Sequence, residues 1–336
     1  MKKDASFLEN TEALLPEVIV LGLSLAQDHD FFLDREPQVG ASMRYRRGQQ
    51  CWGGKGWNVA QCLDKAGVPT SFYSFDPQGQ FQASLMPTET VHIQIQLAEL
   101  PALPRQNIKC YSLHHDGYQL TEFNEEAQAL PEAVLAPAWQ VLYARLEEQL
   151  ELLARARRPI YLLWTGSLPY GLSGDVLLAF LELGRRYGAQ IGLDHFGAAG
   201  KRAIEQGLVD WVKPNGEEAQ MILASYKEAS FGDRNVEEVL LDYAAERHLH
   251  ILYSQGASGA TLLTSEGHTY HEAALPLDLA AEGSRQAKLK PLRLVGAGDS
   301  MVAAVLRHLW RGGQWDPACL HAALLAARDW VLARSS

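Results

Sequence analysis

Continuous apolar runs alternating with segments of helical period restrict the fold of this chain more than any other feature. Val18-Ile19-Val20-Leu21-Gly22-Leu23 and Ile160-Tyr161-Leu162-Leu163-Trp164 have no polar face, so each reads as a strand covered on both sides. Thr70 to Phe75, Ile191-Gly192-Leu193-Asp194 and Val209-Asp210-Trp211-Val212-Lys213 read as further strands. Between them the spacing predicts helices from Asn58 to Ala66, from Trp139 to Leu153, after an N-cap at Ser173, and from Asn235. Ile251-Leu252-Tyr253 and Ala260-Thr261-Leu262-Leu263 form a strand pair around a glycine turn. Strands joined through helices pair in parallel, so the expectation is an α/β fold: a mostly parallel central sheet with helices on both faces.

One region departs from this pattern. Val91 to Leu97, Ile108 to Leu113 and Gln119 to Phe123 alternate polar and apolar residues, as strands with one wet face do, and His114-His115-Asp116-Gly117 makes a hairpin turn between the last two. These segments read as a small β lid joined by Asp30 to Ser42, with an edge extension of the main sheet as the alternative. The expected division is therefore a core of residues 15–29, 43–88 and 126–336, with a lid of residues 30–42 and 89–125.

A chain of 336 residues can bury a large core. Its net charge of −10 argues against nucleic acid or an acidic membrane surface as main partner, while leaving room for a small anionic substrate. The four cysteines lack zinc or C-x-x-C spacing and suit free thiols in a reducing compartment. No apolar signal core follows the first lysines, and no run is long enough to span a membrane, so a cytoplasmic location is expected.

Chemistry concentrates in glycine-bearing turns. Leu294-Val295-Gly296-Ala297-Gly298-Asp299-Ser300 runs into the apolar helix Met301 to Trp310, behind a short strand at Pro291 to Val295. A helix start built on glycines leaves backbone N–H groups free, a ready site for phosphate. Asp299 would repel such a ligand unless it takes a proton from a hydroxyl attacking it; the alternative is a helix cap by Asp299 or Ser300. Gly53-Gly54-Lys55-Gly56-Trp57-Asn58 matches neither a P-loop nor a dinucleotide fingerprint, and reads as close ligand approach before a helix or as a tight turn capped by Asn58. Asn215 and Glu218, at a strand-to-helix junction, suit a hydrated Mg²⁺ or a capping box. Ser254-Gln255-Gly256-Ala257-Ser258-Gly259 could admit a flat nucleotide against backbone.

These segments, with the Thr165-Gly166-Ser167-Leu168-Pro169-x-Gly171 turn and Lys213-Pro214-Asn215-x-x-Glu218, occur in the order of the PfkB branch of ribokinase-like sugar kinases. The chain resembles that family from about Val18 to its last helix, and most of all the subgroup of 1-phosphofructokinase and tagatose-6-phosphate kinase. Leu23 to Asp28 and Arg105-Gln106-Asn107-Ile108-Lys109 lie where that subgroup has its Asn-Pro-Ala-x-Asp and arginine-x-asparagine segments.

The resemblance implies a three-layer α/β/α domain with a β lid, ATP and Mg²⁺ as cofactors, and a sugar or hexose phosphate as substrate, of the fructose 1-phosphate or tagatose 6-phosphate type. Asp299 would be the base, and the amides of Gly296, Ala297 and Gly298 the anion hole. Asp28, Gly54 and Asn58 would hold sugar hydroxyls, while Lys55, Arg105 and Ser167, in the company of Asn107, would face a phosphate on the sugar. Asn215 and Glu218 would organise Mg²⁺ through water, and Asn215, Ser254, Gly256 and Gly259 would line the ATP site. A homodimer through the lid is also implied. Departures from the family pattern lie at Ser24-Leu25, Trp57, Leu294 and the stretch after Phe75, so substrate identity stays open. Two alternatives are a kinase for an unphosphorylated sugar or nucleoside, and a binding protein that kept the fold for regulation.

Overall fold

In the computed structural model, which describes residues 15–85, 90–114, 117–224, 226, 234–277 and 295–333, Glu17–Leu21 (β1) is buried along its whole length. Its side chains alternate between two cores. Ile19 and Leu21 join one apolar cluster, Val18 and Val20 the other. That two-sided burial is what a polar-free run of β-branched residues and leucine requires.

β1 lies inside a nine-stranded sheet. On one side it pairs in parallel with β4 (Thr70–Pro77), and β4 with β5 (Ile93–Leu100). On the other side β8 (Ile160–Thr165), β9 (Gln190–Asp194), β10 (Trp211–Val212) and β11 (His250–Ser254) follow in parallel. β12 (Ala260–Leu263) and β13 (Thr269–Glu272) complete that edge antiparallel, confirming the expected pair around the glycine turn.

A second sheet of four strands runs in the order β3-β2-β6-β7, from β2 (Ala26–Leu33), β3 (Arg46–Gly53), β6 (Arg105–His114) and β7 (Gly117–Asn124). Its membership corrects one expectation. The alternating segment at Val91 to Leu97 is not in the small sheet; as β5 it extends the main sheet beside β4, with its outer edge open to solvent. Residues 26–29 and 46–53, read as core, belong instead to the small sheet. The β6–β7 hairpin is present, with His114 opposite Gly117, while His115 and Asp116 lie outside the described residues.

Helices cover both faces. α3 (Glu132–Arg155), α4 (Gly174–Arg186), α5 (Ala198–Glu205), α6 (Gly216–Leu223) and α7 (Val236–Arg247) pack with the first cluster. α1 (Lys55–Lys65), α2 (Gln80–Ser84), α8 (Ala297–Trp310) and α9 (Pro317–Leu332) pack with the second. The resulting α/β/α layering is the expected one. Ser173 caps α4 as predicted, its hydroxyl accepting the Asp175 N–H. α3 starts a full turn and more before Trp139 and runs through Pro137, because Leu135, fully buried, anchors that first stretch to the core.

α1 also begins earlier than predicted. Gly54, at φ 111°, is its N-cap, so Lys55 is the first helical residue and Asn58 lies inside the helix rather than capping it. A Cβ on Gly22 would come within 2.6 Å of the Gly56 Cα. That approach seats the start of α1 directly over the C-terminal end of β1. Among the described residues no helix is long and apolar enough to cross a membrane.

Candidate active site

Thr165, Asp194 and Ser254 end β8, β9 and β11, and Lys213 follows β10, so all of them gather at the carboxyl edge of the parallel strands. Ligands of open α/β sheets bind at that edge. Asp194 is fully enclosed. Its Oδ2 accepts from the Thr165 hydroxyl (3.0 Å) and pairs with the Lys55 ammonium (3.1 Å), and Lys213 Nζ lies 3.8 Å from its Oδ1. Lys55 reaches Glu218 Oε1 as well, at 3.5 Å.

Asp299 stands in the first turn of α8, 6% exposed, and accepts from the Asn58 amide at 2.8 Å. The two aspartates are driven apart. Burial pushes the Asp299 carboxyl up to about 6, with the negative Asp194 adding to the effect, and Asn58, Lys55 and Lys213 only partly resist. Burial acts on Asp194 in the same sense, but Lys213 and Lys55 outweigh it and hold that carboxyl below the ordinary range. Burial alone would depress the Lys55 ammonium; Asp194, Glu218 and Asp299 together raise it instead, keeping it charged. A protonatable carboxyl beside a permanently ionised one is the division of labour that acid–base chemistry uses.

α8 starts from Gly296, whose φ of 87° only glycine adopts without strain. The first intrahelical bond is Ser300 N–H to Gly296 O, so the amides of Ala297 and Gly298 have no acceptor within the helix. Trp330 of α9 braces this turn: its indole N–H donates to Val295 O at 2.7 Å, and its ring fills the space a Cβ on Gly296 would need. Ser300 is not a side-chain cap but donates to Ala297 O. Of the strand expected at Pro291 to Val295, residues 291–294 lie outside the described residues, and Val295 stands in a turn.

A cavity of about 530 Å³ opens beside that turn, and it brings together Asn215, Ser254, Gly256, Gly259, Ala297 and Gly298. Lys213 lines it too, with its Nζ 3.4 Å from where a Gly298 Cβ would stand. Asn215 and Glu218 form a capping box at the start of α6, each side chain accepting the other's backbone N–H at 2.9 Å. The capping alternative is therefore real, yet Glu218 Oε1 still faces Lys55.

Other expected residues lie apart from this centre. Asp28 and Asn107 face each other across β2 and β6, with the Asn107 amide donating to Asp28 at 2.9 Å and Lys109 pairing with Asp28 at 2.6 Å. Arg105 lines a second cavity of about 350 Å³ together with Ser24, Gln27, Gln106, Glu125 and Glu126. Its Nε is buried without a partner among the described residues. Lys55, expected to work beside Arg105, does not line that cavity. Ser167 is exposed, and its carbonyl accepts the Ser24 hydroxyl at 2.9 Å.

Sequence reasoning gave no role to Thr165, Asp194, Lys213 or Lys109. A signal existed for two of them: Asp194 and Lys213 are charged residues closing the strand-like segments 191–194 and 209–213. Among the described residues no group of three or more His, Cys, Asp or Glu could cage a metal. The oxygen set of Asp194, Asn215 and Glu218, including a buried Asp194 Oδ1 without a hydrogen-bond donor, fits Mg²⁺ held mainly by water and phosphate.

A family model, the pfkB family carbohydrate kinases, matches residues 16–328. The chain belongs to the pfkB family. It is a carbohydrate kinase, and members of this family use ATP. Phosphofructokinase-2 from Escherichia coli in complex with fructose-6-phosphate has a similar fold, with a TM-score of 0.70 at 20% identity over 96% of each chain. A Thermotoga maritima protein described as a possible 1-phosphofructokinase gives 0.72 at 18%, covering 94% of this chain and 92% of that one. Arabidopsis thaliana ribokinase complexed with ribose and ATP gives 0.66 at 18%, covering 96% and 94%.

Proposed function

We propose that this kinase moves the terminal phosphoryl group of ATP to a sugar hydroxyl, with a hexose phosphate of the fructose 1-phosphate or tagatose 6-phosphate type as acceptor. The observation that carries this reading is the buried Asp299 carboxyl, poised near 6, in the same turn as the open amides of Ala297 and Gly298. Asp299 takes the acceptor's proton as its oxygen attacks. The amides of Gly296, Ala297 and Gly298 hold the charge gathering on the transferred group. Lys213 supplies a cation on the nucleotide side, and Asn58 orients the base. Asp194, Asn215 and Glu218 would hold Mg²⁺ through water, and the ion would supply charge neutralisation between phosphates. Gly54 gives the acceptor close approach to the backbone, Asp28 supports the sugar side, and Arg105 offers a forked donor to an acceptor phosphate. The small sheet would act as a lid that keeps water out, and as the surface of a dimer.

Two observations favour a second reading, an unphosphorylated acceptor. Lys55 is already held between Asp194 and Glu218, and Glu125 and Glu126 stand in the cavity of Arg105. ADP release with Mg-ATP and matched free and phosphorylated hexoses separates the two. Turnover confined to phosphorylated sugars is expected; turnover confined to free sugars removes the phosphate-binding roles. No turnover with any sugar would leave a binding protein and sink the proposal.

A further inference from the structure

The C-terminal half of α8 and the middle of α9 enclose a groove of about 190 Å³, on the side of α9 away from the nucleotide cavity. It is lined by Ala304, Arg307, His308, Arg311 and three small or apolar residues of α9, with Asp329 as its single carboxylate. Arg307 and Arg311 are one helical turn apart, a spacing at which like charges repel unless something neutralises them. Neither guanidinium has a hydrogen bond or ion pair among the described residues, and Arg307 Nε is buried without a partner. Asp329 does not serve them, because Arg328 holds its Oδ1 through Nε at 3.0 Å and Nη2 at 2.7 Å. His308 is engaged by the Gln314 carbonyl at 3.0 Å. Against a chain of net charge −10, this leaves a concentrated cationic groove with a floor of alanines.

We propose that the groove between α8 and α9 is a second ligand site, which binds a phosphate-class oxyanion through Arg307 and Arg311 and weakens nucleotide binding. Paired guanidinium forks match the oxygens of such an anion. The volume lies below that of pockets for drug-sized ligands, so it suits a phosphate or a phosphoryl head group. The coupling has a physical route. Arg328 lines the nucleotide cavity while its partner Asp329 lines the groove. An anion in the groove repels Asp329 and attracts Arg328, drawing a cation away from the nucleotide.

The test titrates inorganic phosphate, and separately glycerol phosphate, into the full chain with the nucleotide cavity saturated by ADP, and reads binding by calorimetry. Saturable binding that persists under ADP, weakened only by the factor by which phosphate weakens nucleotide binding, and that falls roughly tenfold or more in Arg307→Gln/Arg311→Gln is expected. Preference between the two ligands tells free phosphate from a phosphorylated metabolite. Ala304→Glu places a carboxylate in the groove without removing either arginine and should block binding while the protein stays folded. Phosphate should raise the half-saturating ATP concentration of the parent and not of these variants. Binding abolished by ADP, unchanged in the variants, or absent up to tens of millimolar overturns the site; binding without a change in half-saturation overturns the coupling.

Discussion

Asp299 and Asp194 share one residue type and one degree of burial, and still end in opposite states. What separates them is contact: Asp194 has Lys55 at 3.1 Å and Lys213 at 3.8 Å, whereas Asp299 has the neutral amide of Asn58, feels the same two lysines more weakly, and faces the negative Asp194. The acid limb of kcat/KM should therefore lie near pH 6, and removing the amide with Asn58→Leu should move it upward. An unmoved limb would take Asp299 out of the base role. The same shift has a cost for folding. The folded-state pKa lies above the unfolded one, so the stabilising contribution is full below about pH 4 and is lost as pH rises through about 6. Asp299→Asn should thus abolish transfer, keep nucleotide binding, and raise stability at neutral pH by on the order of 2 kcal/mol in denaturant titrations. Asp299 was legible in the sequence because glycines surround it. Asp194 was not, since a lone acid at a strand end shows its meaning only when Lys55 and Lys213, 139 positions away and 19 positions away, fold onto it.

At the scale of elements, period and capping were readable wherever a segment obeys a single rule. The parallel strands, the N-cap of α4 and the start of α7 after Asn235 follow from local chemistry alone. β5 misled because an edge strand of the main sheet has one wet face and alternates like a lid strand. The start of α1 misled because Gly54 caps by backbone conformation, with no side chain to announce it. Two strands of the small sheet meet where Gly53 faces Asp28, and a Cβ on Gly53 would strike that carboxylate. Gly53→Ala should cost about 1–3 kcal/mol in chemical denaturation. The penalty should shrink in an Asp28→Ala background; an equal penalty in both would show that crowding at Asp28 is not its cause.

For the molecule as a whole, the two apolar cores are separated by the main sheet, and the candidate site occupies the line where both meet at the strand ends. β11, the β11–β12 turn, α8 and α9 all contribute to the cavity proposed for the nucleotide, so a nucleotide bound there would tie together segments far apart in sequence. Saturating ATP or ADP, at a hundredfold over Kd, should add about 2.7 kcal/mol to unfolding stability and raise the melting midpoint accordingly. A midpoint indifferent to nucleotide would show that the cavity takes some other ligand.

The brace that Trp330 applies to Gly296 carries one more consequence. The last long helix is the backstop of the turn proposed to hold the transferred phosphoryl group, so on that proposal whatever loosens that indole reaches the chemistry without touching substrate. Changes at the tail of the chain would then be felt first as slower turnover, well before the protein began to unfold.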